Sequence, residues 1–262
     1  MLVWSRSVTD SFAPARRERL AAIVRSRRAV RVEELHAELG VSLATIRRDL
    51  DELEASGVLR RVHGGAVNVD QRPIEARFDA KAEVRAAEKA RIAARALELV
   101  QPDETLYLDA GSTVLELAHL LRGRDDLTIV TNSLPAIVSL AGRGPRLVVV
   151  GGDLRPLSQA IVGPLSRLLL EQLFVDRAFL GTFGLSLDGG LTTSDPAEAY
   201  TKELVLGRAR QVVLLADAGK LGTRSFAHAG RLDQVDVLIT DVPLDPTATT
   251  AFDAAGVQVL VA

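Results

Sequence analysis

The sequence predicts an α/β protein in two parts: a small helical domain closed by a basic ribbon, then a larger domain built on a mostly parallel sheet. Three observations carry that prediction. Apolar residues recur at helical spacing on both sides of Gly40-Val41-Ser42. The stretch 58–65 holds two adjacent arginines and ends in two glycines. From residue 105 onward, short apolar segments alternate with helical ones, the pattern of parallel strands covered on both faces.

Residues 1–13 read as an extension outside the fold, and 14–27 as the first helix of the small domain. Residues 32–39 form a short amphipathic helix with Val32, Leu35 and Leu39 on one stripe. Gly40 follows as its stop, because this position takes a positive φ that glycine adopts without a Cβ clash. Ser42 is the expected N-cap of the next helix, its hydroxyl accepting an orphan backbone N–H. In that helix Leu43, Ile46, Leu50 and Leu53 repeat at the 3.6-residue period and are expected on the core face. Ala44 and Arg48 then fall on the exposed face, with Thr45 and Arg47 on its flanks.

Charge is uneven along this helix. Thr45, Arg47 and Arg48 occupy its first half, and Asp49, Asp51, Glu52 and Glu54 its second. Phosphates repel the acidic half, so only the N-terminal end can enter a groove, as the second helix of a helix-turn-helix does on double-stranded DNA. Arg48 is assigned to a guanine edge, Thr45 to a base or phosphate, and Arg47 to a phosphate. Beyond Gly57, residues 58–65 read as a two-stranded wing. There Arg60 and Arg61 track the DNA backbone, and His63 joins the contact set.

Composition narrows the remaining classes. A chain of 262 residues accommodates two domains. It has no cysteine, which removes disulfides and thiolate metal sites, and its histidines at 36, 63, 119 and 228 lack ligand spacing. No apolar run reaches the ~18 residues of a spanning helix, and the N-terminus lacks a leader's apolar stretch, so a cytoplasmic protein away from membranes is expected. Net charge is −2, divided as +2 over residues 1–70 (12 basic, 10 acidic) and −4 over 71–262 (20 basic, 24 acidic). DNA contact therefore rests on locally placed arginines, not on a global positive field.

Residues 67–77, with Pro73, read as a linker, and 81–100 as one charged, alanine-rich helix with Ile92, Ala96 and Leu99 on one face. Strands are expected at 106–109, 127–131, 146–150, 177–180, 211–216, 235–240 and 257–261, with helices at 114–121 and 135–141. In such sheets ligands bind at the carboxyl ends of the strands. Those ends hold Asp109, Gly111, Ser112 and Thr113; Thr131, Asn132 and Ser133; Gly151 and Gly152; and Gly181. Glu198 and Lys202, one helical turn apart, and Asp217 and Lys220, after a late strand, complete the candidate set. Taken singly, each is equally a helix cap, an Asx turn or a surface ion pair. Their shared location favours a pocket: hydroxyls, lysines and helix N-termini suit a phosphate, while carboxylates and an amide suit sugar hydroxyls.

Val41-Ser42, Thr-Ile-Arg-Arg-Asp-Leu at 45–50 and Arg-Val-His-Gly-Gly-Ala at 61–66 resemble the N-terminal signature of the DeoR family of bacterial transcription regulators. The likeness continues from about residue 89 to 241 through Asp109–Thr113, Thr131–Ser133, Gly151-Gly152 and Asp217–Lys220. Ser112 stands for the usual threonine, and Ala218-Gly219 for the usual serines. The resemblance implies a winged helix-turn-helix domain at 14–69, a linker or helix at 70–88, and a phosphosugar-sensing domain at 89–262 similar to ribose-phosphate isomerases. It also implies a homodimer or homotetramer without a cofactor, whose effector is a phosphorylated sugar or polyol. The expected role is repression of a sugar or polyol catabolism operon, with release from the operator by that effector. The competing class is an active sugar-phosphate isomerase fused to a DNA module. Related isomerases carry Asp-Gly-Ala-Asp-Glu after their fourth strand, where this chain has Phe179-Leu180-Gly181-Thr182-Phe183-Gly184 and no carboxylate. Asp188, Glu198 and Asp217 remain as candidate bases.

Overall fold

The computed structural model describes residues 13–27, 29–55, 58–62, 64–68 and 75–262, and the chain divides into two compact units, Met1–Arg72 and Pro73–Ala262. In the smaller unit the described elements are α1 (Ala13–Arg27), β1 (Ala29–Arg31), α2 (Val32–Leu39), α3 (Leu43–Ala55), β2 (Leu59–Val62) and β3 (Gly65–Asn68). Leu20, Val24, Leu35, Leu39, Ile46, Leu50, Leu53 and Leu59 form one core. The expected α2 matches in both bounds and stripe, and Gly40 ends it at φ 67° with its N–H donated to His36 O at 2.9 Å.

One expectation for α3 needs correction. Leu43 lies at the helix start and is exposed, while Val41 of the turn packs against the core instead. Among the acidic residues of the second half, Asp49 is buried: Arg16 donates to it through Nε at 2.6 Å and Nη2 at 3.1 Å. Position 49 follows Ile46 by three residues and precedes Leu53 by four, which puts it on the buried stripe. In the wing, β3 pairs antiparallel with both β1 and β2. A Cβ at Gly65 would stand 2.4 Å from Val30 O, so only glycine lets β3 lie this close to β1.

The larger unit begins with α4 (Phe78–Glu83) and α5 (Ala86–Leu97), so the single helix expected over 81–100 is two. Val84 is extended and Arg85 takes the left-handed conformation, φ 55°. The buried Lys89 ammonium holds this bend by donating to Val84 O at 2.6 Å and to Lys81 O. Residues 75–88 are thus part of this unit's packing, and the helical side of the expectation for 70–88 appears as α4: Phe78 is buried and its N–H bonds Leu157 O at 2.9 Å.

There follow β4 (Thr105–Leu108), α6 (Ser112–Leu120), β5 (Thr128–Thr131), α7 (Leu134–Leu140), β6 (Arg146–Val149), β7 (Asp153–Arg155), β8 (Ala160–Val162), α8 (Pro164–Leu170) and β9 (Val175–Gly181). The chain continues with β10 (Gly184–Ser186), β11 (Gly190–Thr193), α9 (Pro196–Leu206), β12 (Ala209–Leu215), β13 (Ala227–Gly230), β14 (Val237–Thr240), α10 (Pro246–Ala254) and β15 (Gln258–Val261). All seven expected strands are present. Among the described residues they form one sheet in the order β15-β14-β12-β9-β4-β5-β6, each neighbouring pair parallel. Successive residues face opposite sides: Leu106 and Leu108 join the core beneath α5, α6 and α7, whereas Tyr107 joins that beneath α9 and α10. Short antiparallel pieces that the sequence did not announce, β7–β8 and β10–β11–β13, are added around it. From β4 the chain moves outward through β5 and β6, then returns to β9 on the other side of β4. The β4–β9 boundary is therefore the switch point where a crevice opens at the strands' carboxyl ends.

The Arg16–Asp49 pair gives a test of the small unit. Asp49→Ala removes one partner of a buried ion pair and should cost about 3 kcal/mol. Hydrogen exchange in the full-length protein should then speed up in the Leu43–Ala55 amides and stay unchanged in the sheet of the larger unit. Unaltered exchange in α3 would contradict the structural role given to Asp49.

Candidate functional site

The start of α3, the candidate DNA-reading end, is ordered by its cap. Ser42 Oγ accepts from Thr45 N at 3.2 Å and lies 2.9 Å from Thr45 Oγ1, so the cap also orients Thr45. Arg47 and Arg48 are exposed beside it. The acidic second half is used inside the unit: Glu52 pairs with Arg17, Asp51 pairs with Arg61, and Glu54 accepts Arg61 N at 2.6 Å. Arg61 also donates to Arg47 O at 3.1 Å. Its guanidinium therefore braces the wing against the helix, which differs from the free phosphate contact expected of it. Arg60 lies in β2, and His63 falls outside the described residues.

In the larger unit the switch point is tied by one carboxylate. Asp109, just past β4, is buried, and its Oδ2 accepts from Gly181 N at the end of β9 at 3.0 Å and from the buried Lys202 ammonium of α9. Asn132, past β5, accepts from Ala110 N through Oδ1 at 3.1 Å and donates to Ile161 O at 3.1 Å. Thr131 donates to Leu108 O at 2.6 Å, and Ser133 caps α7 by accepting from Ala136 N at 3.3 Å. These three side chains are thus bracing groups that fix the strand ends. Gly111 is the N-cap of α6 and offers no side-chain acceptor to the N–H groups of the first turn. Ser112 is half-buried and Thr113 buried at that turn, so hydroxyls and partially positive N–H groups stand together at the switch point.

A second group lies past β12 and β14. Asp217 accepts from Gly219 N at 2.9 Å and Asp241 from Ala218 N at 2.6 Å, while the Arg85 guanidinium lies 3.7 Å and 3.5 Å from these two carboxylates. The Lys220 ammonium sits 5.2 Å from the Phe183 ring centroid, just beyond β9. Burial, and then the charges of Lys81 and Arg85, hold Lys220 below the usual lysine range, against the pull of Asp217. Lys89 is lowered for the same reasons, burial first, with Lys220 and Lys81 adding to it.

Glu198 and Lys202 do not pair with each other. Glu198 accepts from Thr193 Oγ1 at 2.9 Å and from Arg155 at 3.2 Å, and Arg155 also donates to Asp195 at 3.1 Å and to the buried Glu75 at 2.6 Å. Lys81 and Ser194 complete the hold on Glu75. Gly151 and Gly152 stand apart and exposed; a Cβ at Gly152 would meet Val162 O at 2.5 Å, so glycine is required there for packing. Asp188 is at the exposed tip between β10 and β11, paired with Arg224, and takes no part in the crevice.

Glu75, Lys81, Arg85, Lys89, Arg155, Ser194 and Asp241 were missed by reading strand ends, because most reach the site from other elements. One signal was available: the chain has only four lysines, 81, 89, 202 and 220, and all four contribute charge to this edge of the sheet. Among the described residues, no three His, Asp or Glu side chains gather as a metal set, and no helix is long and apolar enough to cross a membrane.

Comparison with known proteins identifies the family of each unit. Residues 16–72 match the DeoR-like helix-turn-helix domain, and residues 84–242 match the DeoR C terminal sensor domain. The HTH-type transcriptional regulator GlpR of Haloferax volcanii is 38% identical over 245 residues, 94% of this chain and 96% of its own length. The lactose phosphotransferase system repressor of Streptococcus mutans is 36% identical over 231 residues, 86% of this chain and 91% of its own. The transcriptional repressor AccR of Agrobacterium fabrum is 33% identical over 228 residues, covering 86% and 88%. Among solved structures, ribose 5-phosphate isomerase A of Methanocaldococcus jannaschii aligns over 51% of this chain and 53% of its own at 21% identity, with a TM-score of 0.38 that bears no functional weight. GlpR, the lactose repressor and AccR are named as transcription regulators or repressors, and this chain belongs with them to the DeoR family of DNA-binding transcriptional regulators.

Proposed function

We propose that the chain represses a sugar or polyol catabolism operon in the cytoplasm and leaves its operator when a phosphorylated sugar binds at the switch point between β4 and β9. The observation that carries this reading is the α6 N-terminus, uncapped by any side chain and flanked by the Ser112 and Thr113 hydroxyls, beside the buried Asp109–Lys202 pair. A phosphoryl group fits the first turn of α6, where N–H groups and hydroxyls donate to its oxygens. The sugar hydroxyls extend toward Lys202 and Asp109 and toward Glu198, with Asp217 and Lys220 closing the far side. Thr131, Asn132 and Ser133 hold the strand ends in place instead of binding the ligand.

On the DNA side, Arg48 reads a base edge and Arg47 and Thr45 position the helix. Two copies of the chain present two such helices to half-sites about one DNA turn, ~34 Å, apart. A coupling of ~1–3 kcal/mol between effector and operator lowers affinity by about 5- to 150-fold.

A thermal-shift panel of ribose 5-phosphate, fructose 1-phosphate, fructose 6-phosphate, tagatose 6-phosphate and glycerol 3-phosphate tests the ligand class, because a ligand of the folded form raises its melting point. At least one should raise it, and its unphosphorylated counterpart should not. Thr113→Val should weaken that ligand about tenfold and leave operator affinity unchanged. Arg48→Ala should cost about 1–3 kcal/mol on the operator and far less on scrambled duplex. Equal losses on the two duplexes would assign Arg48 to the backbone.

A further inference from the structure

Three residues after the DNA-reading unit ends at Arg72, the chain places a carboxylate in the sensor unit. Glu75 is almost fully buried there, its side chain 4% exposed. Its Oε2 accepts from Arg155 Nη2 at 2.6 Å and from Ser194 Oγ, and its Oε1 accepts from Lys81 Nζ at 2.9 Å. A guanidinium, an ammonium and a hydroxyl around one acid are a donor set that equally suits a polar, anionic ligand. These groups also adjoin the effector crevice. Arg155 holds Glu198, and Glu198 lies one helical turn from Lys202, which grips Asp109. Burial pushes the Glu75 carboxyl up, but the hydrogen bonds from Arg155, Ser194 and Lys81 outweigh it, so the acid stays ionised below the usual range.

Further contacts seat the described stretch between Glu75 and α5, among them Gln159 Nε2 donating to Asp79 at 3.4 Å. The Phe78 N–H bonds Leu157 O, Phe78 is buried, and Arg85 reaches Asp217 and Asp241. Each of these contacts belongs to the short strap 75–85, and the same strap is the covalent path toward the DNA-reading unit.

We propose that Glu75 is an internal stand-in for the effector, a latch whose exchange for the incoming sugar phosphate transmits occupancy to the DNA-reading unit. This rests on the ligand reading given above. The arriving sugar hydroxyls take over donors on Arg155 and Ser194, and the phosphoryl charge in the same crevice repels the Glu75 carboxylate. With Glu75 released, the strap leaves its seat, and operator affinity falls. A ligand that binds only the unlatched form has its apparent affinity reduced by the unlatched fraction.

Glu75→Gln removes the charge while keeping the shape. Full-length Glu75→Gln and wild type are compared by hydrogen exchange over residues 75–85, by titration with the five sugar phosphates and with inorganic phosphate, and by operator binding. In wild type, the sugar phosphate that raises the melting point should speed exchange at Phe78 and Lys81. The variant should exchange at that faster rate without ligand, bind the same sugar phosphate about tenfold more tightly, and hold the operator more weakly. Glu75→Asp, which keeps the charge but shortens the reach, should fall between them and guards against simple misfolding. Wild-type exchange, ligand affinity and operator response in Glu75→Gln would overturn the latch while leaving the ligand reading intact, and so would tighter binding of inorganic phosphate alone. No binding of any sugar phosphate to wild type or variant would instead remove the ligand reading, and the latch with it.

Discussion

The sensor unit depends on the buried Asp109 carboxylate that joins the ends of β4 and β9. Its contacts with Gly181 N and Lys202 fix the two strands at the point where the chain changes direction across the sheet. Two buried charges are costly unless paired and hydrogen-bonded, and here each partner supplies what the other lacks. Gly111, the N-cap of α6, follows two residues later, so the start of that helix lies next to the tie. The helix N-terminus, the lysine and the carboxylate are thus brought to one strand end, where the crevice chemistry gathers.

The inner strands were legible because both faces of the sheet are buried there, which makes them continuous apolar runs such as Leu106–Leu108 or Val212–Leu215. Their carboxyl ends could be marked for the same reason. The roles at those ends were less legible. Thr131, Asn132 and Ser133 have the chemistry of ligand contacts, yet their partners are the carbonyl of Leu108, the amide of Ala110 and the first turn of α7. Those partners lie in elements brought together only by the sheet order, which local spacing does not reveal. The helices α4 and α5 stand where one helix over 81–100 was expected, because the composition there is uniformly helix-forming; the left-handed Arg85 that separates them is held by Lys89, a tertiary effect.

In the smaller unit nearly every expected feature of α2 and its turn is present, since capping and stripe are local. Asp49 is the instructive exception. By charge it groups with the other acidic residues of the helix, but its position on the stripe of Ile46 and Leu53 is what buries it, and Arg16 supplies the counter-charge. Arg61 shows the reverse: a basic residue in the expected wing is committed to Asp51 and Arg47 O inside the unit. Charge type alone did not separate recognition from bracing in either case.

The central claim is that effector and operator oppose each other through this chain, and linkage makes that claim reciprocal. The most direct measurement is the affinity of the strongest-binding sugar phosphate determined twice, on free protein and on protein saturated with operator duplex. Affinity should fall on the operator-bound protein by the same factor by which the ligand weakens operator binding. Equal affinities in the two titrations would contradict the account.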